Sequence, residues 1–215
     1  MTTPINQADG YYQNTREELL QLILPSEKNI LDVGCAAGKF GEILKEALPT
    51  RTVYGVEMDE KAASEARTRL DGVIVGDFRA MQLPYAEGSF DCVVFADVLE
   101  HFVDPAAALA QARKLLRDSG VVVCSIPNIR HYSAILRLLR KGWEYEDSGL
   151  FDRTHMRFFS LLSIQQMFAV GGWQIETILP KVGASKKMRF LNTILLGKLD
   201  EFVAFQYLIR AHKST

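Results

Sequence analysis

Residues 90–96, FDCVVFA, constrain the fold more than any other stretch. The run is too short for a buried helix and apolar at almost every position, so it has no wet face and dry face to sort. Such a strand must be covered on both sides, as in a parallel sheet flanked by helices. The rest of the chain agrees. Strand patterns at 29–33, 52–57 and 72–75 alternate with helical patterns at 39–48 and 60–70. Asp104 and Pro105 open a further helix as cap and first-turn residue, and Gly120 is expected to end it before a strand at 121–126. Beyond Pro127 the pattern predicts helices at 131–140 and 160–170, a strand at 173–179, an apolar helical stretch at 188–203 and a last strand at 205–211. This alternation predicts an α/β fold with a parallel sheet and right-handed crossovers. The 215 residues suit one domain, with halves at 29–126 and 127–215.

The first strand runs into ILDVGCAAGKF, residues 30–40. Gly34, Ala36 and Gly38 make a tight turn of small residues before a helix, a setting for close approach of a ligand. The dinucleotide pattern G-x-G-x-x-G fails here, because Ala36 replaces its second glycine and Lys39 its third. Asp32 beside the turn would repel a pyrophosphate but attract a cation. S-adenosylmethionine carries a sulfonium and an ammonium and no phosphate, and its carboxylate can sit at the helix N-terminus after Gly38. Glu57 ends the second strand, 57 − 34 = 23 residues beyond Gly34, where an acid can accept both ribose hydroxyls. Asp77 follows the third strand, where its carboxylate can accept the adenine amino group. Met58 and Phe78 are placed to sandwich the purine, and Ala96 closes the fourth strand beside them. Any one of these acids could simply cap a neighbouring helix. Three acids after three successive strands favour a nucleoside ligand.

The segments ILDVGCAAGKFG, VYGVEMD, VGDF and FDCVVFADVLEH, in this order, resemble the class I S-adenosylmethionine-dependent methyltransferases over residues 29–126. The resemblance implies an α/β, Rossmann-like doubly wound seven-stranded sheet in the order 3-2-1-4-5-7-6, its last strand antiparallel, and S-adenosylhomocysteine as product. Residues 125–160 are similar to methyltransferase domains of polysaccharide and O-antigen synthesis. Those carry D-x-T-H-x-R-F-F, here Asp152, Thr154, His155, Arg157, Phe158 and Phe159. That similarity implies O-methylation of a sugar or glycan hydroxyl. Two other readings stay open. Trp143, Tyr145, Phe151, Phe158 and Phe159 could line a pocket for a small aromatic or quinone-like acceptor. The chain could also be a non-catalytic, cofactor-binding partner of a glycosyltransferase.

A hydroxyl acceptor benefits from a base. His155, three residues after Asp152, is the expected base, with Asp152 as its orienting acid and His131 as the next candidate. The competing role for His155 is to pin its loop to the sheet edge. Asp97, Glu100 and His101 lie at the place where some methyltransferases carry E-x-x-E-H and bind a divalent ion. Asp97 replaces the first acid, and capping of the next helix is preferred, so no metal is expected.

A net charge of −1 gives no broad footprint for nucleic acid. The odd cysteine count (Cys35, Cys92, Cys124) in buried strands reads as reduced core thiols, hence a cytoplasmic setting. No leader pattern opens the sequence, and no run of about 18 apolar residues predicts a membrane span. Residues 129–159 and 185–204 are expected to fold over the sheet edge as a cap. The second of these, apolar with a basic start, could instead lie on a membrane surface or form a homodimer contact.

Overall fold

A computed structural model of the chain describes residues 15–183 and 185–214. The strands are β1 (Asn29–Val33), β2 (Thr52–Glu57), β3 (Gly72–Val75), β4 (Phe90–Ala96), β5 (Leu116–Pro127), β6 (Trp173–Val182) and β7 (Ala204–Lys213). They form one seven-stranded sheet in the order β3-β2-β1-β4-β5-β7-β6. Pairing is parallel from β3 through β5, and β7 runs antiparallel to both β5 and β6. The expected order and the antiparallel last strand are both present.

Burial on both faces explains the continuous apolar runs. In β4, Val93 and Phe95 enter one core with Leu31, Val33, Leu109, Ile164 and Phe168. Cys92 and Val94 enter the opposite core with Ile30, Phe40, Leu44 and Leu19. Period-two alternation thus sorts residues between two dry faces. The helices are α1 (Lys39–Ala47), α2 (Glu60–Ala66), α3 (Pro105–Leu115), α4 (Tyr132–Lys141), α5 (Leu161–Val170), α6 (Lys186–Ile194) and α7 (Asp200–Val203). Asp59, Asp104 and Ser160 accept backbone N–H bonds at the starts of α2, α3 and α5. Arg51 donates to the carbonyls of Ile23, Leu24, Glu27 and Leu44, which ties the segment after the short helical turn Glu17–Leu22 to α1.

Several boundaries differ from expectation: α2 ends at Ala66 instead of 70, and β6 runs on from 179 to Val182. β5 begins at Leu116, ahead of Gly120, because Leu116 pairs with Phe90 and Arg117 forms an ion pair with Asp91 at 2.5 Å. The stretch expected as one helix at 188–203 is broken between α6 and α7. Leu196 (φ 51) and Gly197 (φ 79) both adopt left-handed backbone there and reverse the chain. All three cysteines are buried and free. No described helix is long and apolar enough to cross a membrane.

Candidate active site

The glycine turn sits at the C-terminal end of β1, the end at which open α/β sheets bind ligands. Its shape needs small residues. Gly34 has φ 71, and a Cβ there would lie 2.6 Å from Val98 Cγ2. Gly38 has φ 78, and a Cβ there would lie 3.0 Å from Ala66 Cα. Ala36 takes left-handed backbone too, with φ 48. The turn spends its amides internally. Gly34 N and Cys35 N donate to Val56 O at 2.8 and 3.2 Å, and Gly38 N donates to Cys35 O at 2.8 Å. Ala36 N donates to Glu57 Oε2 at 2.8 Å. A turn used this way is no phosphate cradle, in keeping with the failed dinucleotide pattern.

Glu57 organises the junction of β1 and β2. Besides Ala36, it accepts from Met58 N and Asp59 N at 2.8 and 2.9 Å. Oε1 is taken up by those two amides, so Oε2, with Ala36 N as its one donor, keeps acceptor capacity for a ligand hydroxyl. Asp32 is 2 % exposed. Its Oδ1 is buried without a hydrogen-bond partner, and the residue lines a cavity at this end of the sheet. Burial, with the Glu57 charge second, pushes its pKa up to about 7. A buried acid with an orphaned oxygen awaits a cationic or donating partner.

The cavity is lined by Asp32, Gly34, Ala36, Glu57, Met58, Asp77, Phe78 and Ala96, so the expected binding residues, Gly38 excepted, converge there. Gly38 shapes the adjoining helix start. Asp77 is already paired with Arg79 at 2.5 Å, which holds its carboxyl below the usual range. Met58 is 63 % exposed at the mouth. Phe78 departs from the expected stacking role. It is almost wholly buried, and its ring meets Phe95 edge-on at 5.7 Å, leaving no open face for a purine.

The three expected catalytic residues, His155, Asp152 and His131, stand outside the lining of this cavity. Asp152 does not orient His155: its Oδ1 accepts from Thr154 N at 2.8 Å and from Thr154 Oγ1 at 2.6 Å. Among the described residues His155 lies outside the cavity lining, its ring 4.8 Å from that of His101. Burial, then the neighbouring His101, drops its pKa to about 4. His131 is buried at the start of α4, where Nδ1 is 2.7 Å from Ser133 Oγ and its ring packs on Tyr132 and Phe205. It is a helix cap outside the cavity. The residues that do reach the cavity are His101 and Thr154. His101 Nδ1 is 3.0 Å from Thr154 Oγ1 and 3.2 Å from Thr154 O. A carbonyl only accepts, so Nδ1 carries the proton and Nε2 is the basic nitrogen. Burial lowers the His101 pKa.

Asp97 and Arg16 were not expected as site residues. Asp97 has φ 56, accepts from Ser125 Oγ at 2.5 Å and from Gln206, and pairs with Arg16 at 2.6 Å. Arg16 and Asp97 line the same cavity. No local pattern announces this pair, because 97 − 16 = 81 residues separate them. Asp97 is therefore committed away from Glu100. Among the described residues, a grouping able to hold a cation is Glu100, His101 and His155, whose ligand atoms lie within 4.8 Å of one another. Glu100 is buried, with Oε2 unpartnered, and burial raises its pKa well above the ordinary value. Of the two expected cap segments, 129–159 reaches the cavity through Thr154, while no described residue of 185–204 lines it. The aromatic residues of the loop pack edge-to-face on each other instead, with the Trp143 ring 4.7 Å from that of Phe158 and 5.1 Å from that of Phe151.

The chain belongs to the methyltransferase domain family, whose profile matches residues 6–178. It is 32% identical to "Ubiquinone biosynthesis O-methyltransferase" of Thiobacillus denitrificans, over 70% of this chain and 66% of that one. It is 30% identical to a "Probable S-adenosylmethionine-dependent methyltransferase" of Mycobacterium tuberculosis, over 59% of this chain and 46% of that one. The chain spans less than half the length of several such relatives. Its fold is shared with a crystal structure of an S-adenosylmethionine-dependent methyltransferase from Archaeoglobus fulgidus, at TM-score 0.67, 18% identity and 94% and 96% coverage. The cofactor of this family is S-adenosylmethionine, and the cavity fits it: an orphaned buried carboxylate for a cation, an acid at the end of β2, and glycines a Cβ would crowd.

Proposed function

We propose that the protein O-methylates a small acceptor bearing an acidic hydroxyl, of the phenolic or quinol-like kind. When bound, S-adenosylmethionine supplies a methyl group already activated by its sulfonium. Asp32 would balance the cofactor's positive charge, Glu57 would accept from the ribose, and Arg16 on the cavity wall would be the cation for the methionine carboxylate. His101 takes the acceptor's proton at Nε2. Thr154, hydrogen-bonded to Asp152, holds the opposite ring nitrogen and so fixes the tautomer.

The observation that carries this reading is the Asp152–Thr154–His101 chain on the cavity wall. It also bears on the acceptor. A base whose pKa is lowered by burial suits an acidic hydroxyl, with a pKa of about 10 for a phenol, better than a sugar hydroxyl. Relatives named as ubiquinone biosynthesis O-methyltransferases point the same way. The D-x-T-H-x-R-F-F pattern that suggested a glycan has work within the chain itself. Asp152 and Thr154 orient His101, and Arg157 donates to Val103 O. The mechanism places no metal on the reaction path, so a chelator should leave turnover unchanged. The test is methyl transfer from labelled S-adenosylmethionine to a panel of catechols, phenols and sugars. Labelled aryl ethers are expected; label on sugars alone would overturn the acceptor class.

A further inference from the structure

Helix α6 and the turn after it present apolar surface that the described chain leaves uncovered. None of the nine residues of α6 is buried. Phe190 is 69 % exposed, Ile194 58 % and Leu196 90 %. Phe190 and Ile194 lie four residues apart, so they share one face of the helix, and Leu191 and Leu195 flank it. Leu196 stands at the tip of the chain reversal. Cations surround this face. Lys186, Lys187 and Arg189 occupy the first helical turns and Lys198 follows the tip. Three cations at a helix N-terminus oppose the helix dipole, so the arrangement favours an external anion. Two acids stand nearby and are engaged within the chain: the exposed Asp200 accepts from Asn192 at 2.8 Å, and Glu201 pairs with Arg130.

We propose that α6 and Leu196 dock the protein on an anionic phospholipid surface, with Phe190, Ile194 and Leu196 entering the acyl boundary and the four cations meeting headgroup phosphates. Charge decides for lipid over a second copy. An isologous contact through this face would set the same cations against each other.

The experiment is co-sedimentation of the full chain with vesicles of phosphatidylcholine alone and with about a quarter phosphatidylglycerol. Binding is expected only to the anionic vesicles and should weaken as salt rises to about 0.5 M. Lys186→Glu with Lys187→Glu should weaken it roughly 30-fold or more, at about a factor of five per cation. Phe190→Ser with Leu196→Ser should abolish it. S-adenosylhomocysteine affinity should be unchanged in both variants, which shows that each is folded. Failure to bind anionic vesicles would overturn the proposal. So would equal binding by the serine variant. A dimer in sedimentation velocity that the serine variant dissolves would assign the face to a second copy instead.

Discussion

Thr154 Oγ1 lies 3.0 Å from His101 Nδ1 and donates to Asp152 Oδ1 at 2.6 Å. The three groups form one directed chain from a buried acid to the cavity wall. The hydroxyl is the link, so its removal should act through His101. Thr154→Val should lower kcat about tenfold, the worth of one oriented hydrogen bond of about 1.4 kcal/mol. KM for S-adenosylmethionine should stay within a factor of two or so, and Thr154→Ser should restore turnover. Steady-state kinetics on the three proteins check this. A KM change without a kcat change would make Thr154 a binding residue.

Asp32 predicts a pH-dependent affinity. Its pKa of about 7 in the ligand-free chain means that a cation must expel a proton on binding. Affinity for S-adenosylmethionine should therefore rise with pH below 7, by up to about tenfold per unit, and level off above it. The same raised pKa opposes folding of the free chain. The folded state holds this proton more tightly than the unfolded one, so the contribution is lost as pH rises from the ordinary value of 3.8 toward 7. Titration calorimetry in two buffers of different ionisation enthalpy measures the proton release. Asp32→Asn should abolish it.

Glu57 joins cofactor binding to the shape of the turn, since it holds the amides of Ala36, Met58 and Asp59. Glu57→Ala should weaken S-adenosylhomocysteine binding by about 1.5–3 kcal/mol. It should also lower Tm, because three amides lose their acceptor. Calorimetry paired with thermal melts tests both. Full affinity in the variant would remove Glu57 from the ribose site.

Gly34→Ala should be destabilised without any ligand present. The residue has φ 71, and its new Cβ would fall 2.6 Å from Val98 Cγ2. Left-handed backbone alone costs about 1–2 kcal/mol, so a Tm fall of several degrees is expected. A melt at the parent temperature would mean that the turn relaxes freely.

The sheet was legible because its signals are local. Strands β1 to β4 announce themselves by apolar runs, and Gly34, Ala36 and Gly38 by size. The lining of the candidate site was legible where residues stand at or next to strand ends, as Asp32, Glu57 and Ala96 do. It was not legible where partners come from far away. His101 and Thr154 are 53 residues apart, and nothing in either segment shows that Asp152 turns to Thr154 in preference to His155. The spacing of Asp152 and His155 suited a dyad, but burial and the His101 ring hold His155 behind the site. Likewise Gly120 looked like a helix end, and only the pairing of Leu116 with Phe90 shows that the strand had already begun.

The most direct test of the account is the pH–rate profile of three proteins with one phenolic acceptor: the parent chain, His101→Ala and His155→Ala. His101→Ala should lose about 100- to 10,000-fold in kcat, and the acidic limb of its profile should vanish, with S-adenosylhomocysteine affinity retained. His155→Ala should melt earlier but keep the parent profile. Loss of turnover and of the acidic limb in His155→Ala, with His101→Ala unimpaired, would contradict the assignment of His101 as the base.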